Sequence, residues 1–93
     1  MAAELGEKTG RYKRLLKEAL DDVKKVRGMD PVLNRIADDY FNMAESYYAD
    51  GIHFFDAGDL VNALVCFSYG HAWLDAGVRL GVFSVTKKDL FAA

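Results

Sequence analysis

The stretch Leu60–Leu80, "LVNALVCFSYGHAWLDAGVRL", constrains this chain more than any other. Wound as a helix at ~100° per residue, its apolar or small side chains cover roughly 240° of the circumference, whereas a surface helix needs little more than ~100°. The polar exceptions Ser68, His71, Asp75 and Arg79 fall at spacings of three, four and four, which places them in one narrow strip. Such a rod is expected to be mostly buried, a spine for its neighbours, with that strip facing water or a partner. Within the buried arc lies a seam of small residues: Ala63, Cys66, Gly70, Gly77 and Gly81. A glycine inside a helix costs about 1 kcal/mol relative to alanine, so three of them imply a close approach between backbones.

The rest of the chain supplies those neighbours. "DAGDL" separates the rod from the preceding helix: Gly58 suits a helix end and Asp59 can cap the next start. So short a link forces an antiparallel hairpin. Pairing about it brings Gly51 to Leu64 and Val65, Glu45 and Ser46 to His71, and Asp38 to Arg79. Asp30 and Pro31 form the start signal of helix two. That helix carries one apolar stripe from Leu33 through Tyr40, Tyr47 and Gly51 to Phe54, and a second through Phe41, Tyr48, Ile52 and Phe55. In "TGRYKRLLKEALDDVKKVRG", Tyr12, Leu15, Leu16, Ala19, Leu20, Val23 and Val26 recur at helical steps, and Gly28 is a plausible stop. Residues 1–8 are expected to fray because Gly6 and Gly10 weaken a helix there. Residues 82–93 read as a tail packing on the bundle, with a short turn from Thr86 and with Val82, Phe83, Leu90 and Phe91 over its open end.

Ninety-three residues, 52% of them hydrophobic, make one domain with the means to bury a core. The fold class is all-α: an up-down-up three-helix bundle with helices near 9–27, 30–57 and 59–81 and a tight helix 2–helix 3 hairpin. A hairpin like that of a tetratricopeptide repeat, with one added helix, is the nearest alternative. Gly51, Phe54, Ala63, Phe67 and Gly70 stand at that repeat's offsets, but a solenoid stacks roughly three or more units and helix one does not repeat the pattern.

"GDLVNAL" followed by "SYGHAWLDAGVRLGVF" resembles a small archaeal family catalogued as domain of unknown function 357. The similarity is most distinctive from Tyr47 to Phe83 and extends over residues 10–83. What it implies is a compact three-helix bundle, with no activity, cofactor or catalytic residue attached. The hairpin is also similar to helical nucleases and nucleotidyltransferase-associated domains of prokaryotes, of which the nucleases carry an arginine a few residues before a histidine. Neither His53 nor His71 has one, so nuclease activity is not expected.

Composition and spacing narrow the function further. Cys66 is the single cysteine, which rules out an internal disulfide, fits a cytoplasmic location and reads as a small buried hydrophobe. The N-terminus lacks the basic and apolar regions of a signal peptide. The longest uncharged run, Leu60–Leu74, is 15 residues, short of the roughly 18–20 that cross a bilayer, so no membrane is expected. Residues 1–28 carry eight basic and five acidic groups and the remainder four and nine. Lys13, Lys17 and Lys24 share a helical side, but phosphate binding calls for a denser field, and nucleic acid is not expected as a partner.

Ser68, His71 and Asp75 raise the question of catalysis. A nucleophilic triad needs donors aimed at a developing oxyanion, and amides inside a helix are already bonded four residues back. No catalytic residue is therefore assigned, and the chain is read as not an enzyme. His71 and Asp75 with Glu45 or Asp38 from helix two make a thin ligand set, so neither a metal nor any other cofactor is assigned. The expected role of the strip is to pair within itself or with helix two, with Asp38 or Asp39 meeting Arg79. Helix one is too short and one-sided to cover the other two, which leaves apolar surface to spare. The functional expectation is a non-catalytic protein-interaction or self-association module, anchored by Phe41, Tyr48, Tyr69 and Trp73, with a protein partner or homo-oligomer as its complex. The alternative is a small-ligand, metal or RNA-binding or processing protein using Ser68, His71, Asp75 and Arg79.

Overall fold

The computed structural model describes residues 2–92. Met1 and Ala93, the outermost residues of the expected frayed segment and of the tail, lie outside the described residues. Three helices run up, down and up: α1 (Ala2–Asp22), α2 (Pro31–Asp56) and α3 (Leu60–Leu80). Two-residue strands β1 (Lys24–Lys25) and β2 (Phe83–Ser84) and a 3₁₀ turn at Lys88–Leu90 complete the described elements. The fold is all-α, and α2 and α3 form its tight hairpin.

Local chemistry sets the helix boundaries. Asp30 Oδ1 accepts from the Leu33 amide at 3.0 Å and Pro31 occupies the first turn of α2. Asp59 accepts from the Asn62 amide at 3.2 Å and from Asn62 Nδ2 at 2.7 Å, capping α3. The link between α2 and α3 turns at Gly58, φ 81°, and α3 stops at Gly81, φ 89°. Both lie in the left-handed region that a Cβ disfavours. Gly81 therefore ends the helix, and its N–H bonds to the carbonyls of Gly77 and Val78. It is exposed rather than part of the buried seam.

The core is built around α3, which packs on both other helices and most extensively on α2, while α1 and α2 touch far less. Leu16, Ala19, Ala37, Ala44, Ala63, Phe67 and Leu74 are buried between them. Each fully buried Leu or Phe contributes roughly 1.5–3 kcal/mol of apolar transfer. Small residues make the close contact. A Cβ on Gly51 would stand 2.4 Å from the Phe67 ring, and one on Gly77 would stand 2.3 Å from that of Phe83. Gly70 lies against Ala44 and Tyr47 of α2. The level of the hairpin thus matches the pairing about the turn, but the face differs: Gly70, not His71, looks at helix two.

Helix one departs from its expected limits at both ends. It begins at Ala2, because its first turns pack on the bundle instead of fraying. Thr9 is fully buried with its hydroxyl donating to the Leu5 carbonyl at 2.7 Å, and Gly6 passes the Leu60 side chain. Tertiary packing here outweighs the glycine penalty. It ends at Asp22, short of Arg27, because the returning tail takes over. The Asp22 carboxylate accepts from the Thr86 amide at 2.9 Å, the Lys87 amide at 3.0 Å and the Thr86 hydroxyl. Lys24 then pairs with Ser84 and Lys25 with Phe83 in an antiparallel clasp, and the Val26 amide donates to the Val82 carbonyl at 3.0 Å. Gly28 lies in the turn beyond this clasp. Asp38, expected beside Arg79, pairs instead with Lys25 at 3.0 Å, since the clasp brings that lysine to α2.

Candidate functional site

The polar strip of α3 faces the tail rather than helix two. His71 Nε2 lies 2.6 Å from the Leu90 carbonyl oxygen. A carbonyl can only accept, so Nε2 carries the proton. Asp75 Oδ1 accepts from the Ala92 amide at 3.1 Å and stands 4.0 Å from His71 Nε2. The Phe91 ring between them, 9% exposed, packs 6.0 Å from the imidazole. Ser68 lies at the mouth of the resulting groove of about 380 Å³, which Tyr12 and Leu15 of α1 close from the other side. Arg79 stands apart, lining a second hollow with Val78, Val85 and Lys88. The fold therefore gathers Ser68, His71 and Asp75 and leaves Arg79 outside. The two atoms a proton relay would use are engaged by tail backbone, and the neighbouring helical amides are already bonded. Mechanically, this cluster is a latch.

Other candidates are dispersed. Among the described residues no group of three or more His, Cys, Asp or Glu side chains is placed to hold a metal ion. His53 is exposed against the Phe54 ring. Cys66 is buried; that burial, with Asp50 adding a smaller push, holds its thiol above the usual range and protonated at neutral pH. Lys13 sits 4.9 Å over the Phe55 ring, Lys17 pairs with Asp21 at 2.9 Å, and Lys24 lies in β1. The three lysines expected on one helical side do not share a helix, because α1 has ended before Lys24.

The face of α3 that does meet water is apolar. Val61, Val65, Tyr69 and Leu80 are 61%, 59%, 50% and 51% exposed, with Ala72 and Ala76 exposed between them. Their spacings of four, four, three, four and four make a single stripe ~28 Å long at the helical rise. Asn62, Ser68 and Arg79 flank it, and no Asp, Glu or Lys falls within it. Along one edge runs an edge-to-face chain of aromatics: Tyr47 on Tyr69 at 4.7 Å, Tyr69 on Trp73 at 6.3 Å, and Trp73 on Tyr40 at 5.1 Å. These rings wall a shallow hollow of about 210 Å³ floored by Ala72 and Ala76.

Of the four expected anchors, Tyr69 and Trp73 border this face. Tyr48 is half-buried, 6.0 Å from Phe67, and Phe41 lines a separate hollow with Val23, Asp38 and Phe83. The strip expected to face water or a partner is thus divided: the tail covers His71 and Asp75, Ser68 and Arg79 stay exposed, α1, α2 and Phe83 share the glycine side, and the remaining apolar arc is exposed.

A three-helix bundle whose last helix makes the two main interhelical contacts, latched by its own returning tail, defines the class. The chain belongs to the family described as protein of unknown function DUF357, whose model matches residues 11–83. It is similar to protein AF1782 from Archaeoglobus fulgidus, a DUF357 protein of known crystal structure, with a TM-score of 0.71 and 25% identity over 91% of this chain and 97% of that one. No curated protein matches it. Among the described residues no helix is long and apolar enough to cross a membrane.

Proposed function

We propose that this protein is a non-catalytic interaction module of the cytoplasm whose contact surface is the outer face of α3. The observation that carries the reading is the half-exposed stripe Val61–Val65–Tyr69–Ala72–Ala76–Leu80, free of acid and lysine. Apolar surface gives back roughly 25 cal/mol per Å² when removed from water, and a contiguous patch with a polar rim is typical of a contact site. Tyr69 and Trp73 add aromatic area, the residue type that dominates interface energetics. The free, protonated thiol of Cys66 fits a reducing compartment.

Engagement of His71 and Asp75 by the tail supports the non-catalytic half of the reading. The test is affinity capture from a native lysate on wild-type bait and on Ala72→Glu bait. Ala72 is exposed, so the variant folds and carries a charge into the stripe. Partners retained by the wild type and lost by the variant are expected; equal retention, or none by either, refutes it.

A second reading rests on the groove of about 380 Å³ beneath the tail: a small ligand held by Ser68, His71 and Asp75. It requires the Leu90–Ala92 segment to lift. His71→Ala should then abolish ligand-induced thermal stabilisation while leaving α2 and α3 folded.

A further inference from the structure

We infer that the hollow bounded by Val78, Arg79, Val85, Lys88 and Phe91 binds a small amphiphilic oxyanion, a carboxylate or phosphate head held by the two cations with its apolar body on the valines and the ring. This surface is separate from the outer stripe of α3, and the inference stands independently of the interaction reading. The hollow measures about 500 Å³, within the roughly 300–1,000 Å³ of small-molecule sites. Its wall divides by chemistry. Val78 and Val85 are half-buried and Phe91 is buried, all three packed on the core, while Arg79 and Lys88 stand exposed.

Charge selects the ligand. No Asp or Glu lines this hollow, whereas the groove that shares Phe91 with it takes both Asp75 and Asp89. Among the described residues the ion-pairing cations are Lys17, Lys25 and His71, so neither Arg79 nor Lys88 is committed to a carboxylate. A guanidinium presents a rigid fork of donors that matches an oxyanion, and an ammonium adds mobile ones. Free carbonyls at the end of α3 would repel an anion, but those of Gly77 and Val78 already accept from the Gly81 and Val82 amides. The latch prepares the remaining walls. Asp22 accepts from the Thr86 and Lys87 amides at 2.9 and 3.0 Å, which fixes the turn between Val85 and Lys88. His71 on the Leu90 carbonyl and Asp75 on the Ala92 amide hold Phe91 from either side. Walls ordered before the ligand arrives take nothing from its affinity. This hollow is open while the latch is closed, the reverse of what a ligand of the neighbouring groove requires.

The test is methyl-resolved NMR of the full chain titrated separately with octanoate, octyl phosphate, 1-octanol and acetate. With at least one of the two octyl oxyanions, the Val78 and Val85 methyls should shift along a saturable isotherm while those of Val61 and Val65 stay still; the tighter of the two identifies the head group. Acetate lacks the body and 1-octanol the charge, and each should bind at least about tenfold more weakly. Arg79→Gln combined with Lys88→Gln changes only exposed side chains, and should weaken the tighter oxyanion at least about tenfold with an unchanged melt. On the unaltered chain, raising salt from about 0.05 to about 0.5 M should weaken it as well. No saturable shift with either oxyanion, 1-octanol or acetate binding as tightly, affinity indifferent to both the double variant and salt, or shifts centred on Val61 and Val65 overturns the inference.

Discussion

Gly70→Ala offers a sharp test of the close contact on which the hairpin is built. At Gly70 an added Cβ would meet Tyr47 Cβ at 3.0 Å, Leu16 Cδ2 at 3.1 Å and the Ala44 carbonyl oxygen at 3.2 Å. Two of these atoms are fixed by the α2 backbone, and Leu16 is fully buried. The substitution therefore combines two opposed effects. Alanine favours the helix by about 1 kcal/mol over glycine, and forcing a methyl into a packed contact costs roughly 1–3 kcal/mol. Gly10→Ala isolates the first effect, since only the Arg14 guanidinium approaches that Cβ, at 3.8 Å. The two variants should differ by about 1–3 kcal/mol, with Gly10→Ala the more stable. For a domain of this size that is a separation of roughly 4–24 °C in melting temperature. Chemical and thermal unfolding measure it directly. If Gly70→Ala gains as much stability as Gly10→Ala, the seam is not a close backbone contact.

Four further outcomes concern the tail, the cap of α3 and the buried thiol. Hydrogen bonds from Thr86 Oγ1 and from the Lys87 and Thr86 amides hold the Asp22 carboxyl below the usual aspartate range. That stabilisation is fully present above the ordinary aspartate pKa and is lost as pH falls through the lowered folded value. Acid titration of tail fluorescence probes should show a transition that Asp22→Asn removes. His71→Ala deletes the bond to the Leu90 carbonyl, worth about 0.5–1.5 kcal/mol; hydrogen exchange should quicken at Phe91 and Ala92 and stay unchanged in the hairpin. Asp59→Ala removes the cap of α3 and should cost about 0.5–2 kcal/mol by urea unfolding. Cys66 should react slowly with a disulfide reagent in the native protein and at full rate once denatured, because its thiolate is disfavoured where it lies.

The hairpin was legible because its signals are local. Asp30–Pro31 and Gly58–Asp59 mark helix ends through backbone groups a few residues away, and the small seam of α3 reports close approach wherever the neighbour comes from. That Val82, Phe83 and Phe91 of the tail pack on the bundle was legible from their apolar character, but the place where the tail docks was not. The Asp22 carboxylate meets residues 64 and 65 positions later, and nothing within α1 announces that partner. The same long-range contact ended α1 early, moved Lys24 into a strand and turned His71 and Asp75 into a latch. The apolar arc of α3 was visible in the residues, but which part stays uncovered depends on how α1, α2 and the tail divide the circumference. They leave the Val61–Leu80 stripe; of the aromatics singled out by type, only Tyr69 lies within it and only Trp73 beside it.

The central claim is that this stripe is where the protein makes its contacts. Methyl-resolved NMR of the wild-type chain, titrated with the protein that wild-type bait captures from lysate, addresses it residue by residue. The methyls of Val61, Val65, Ala72, Ala76 and Leu80 should shift together along one binding isotherm, with those of Val78 and Val85 still. Stationary stripe methyls, with movement confined to the tail groove, would contradict it.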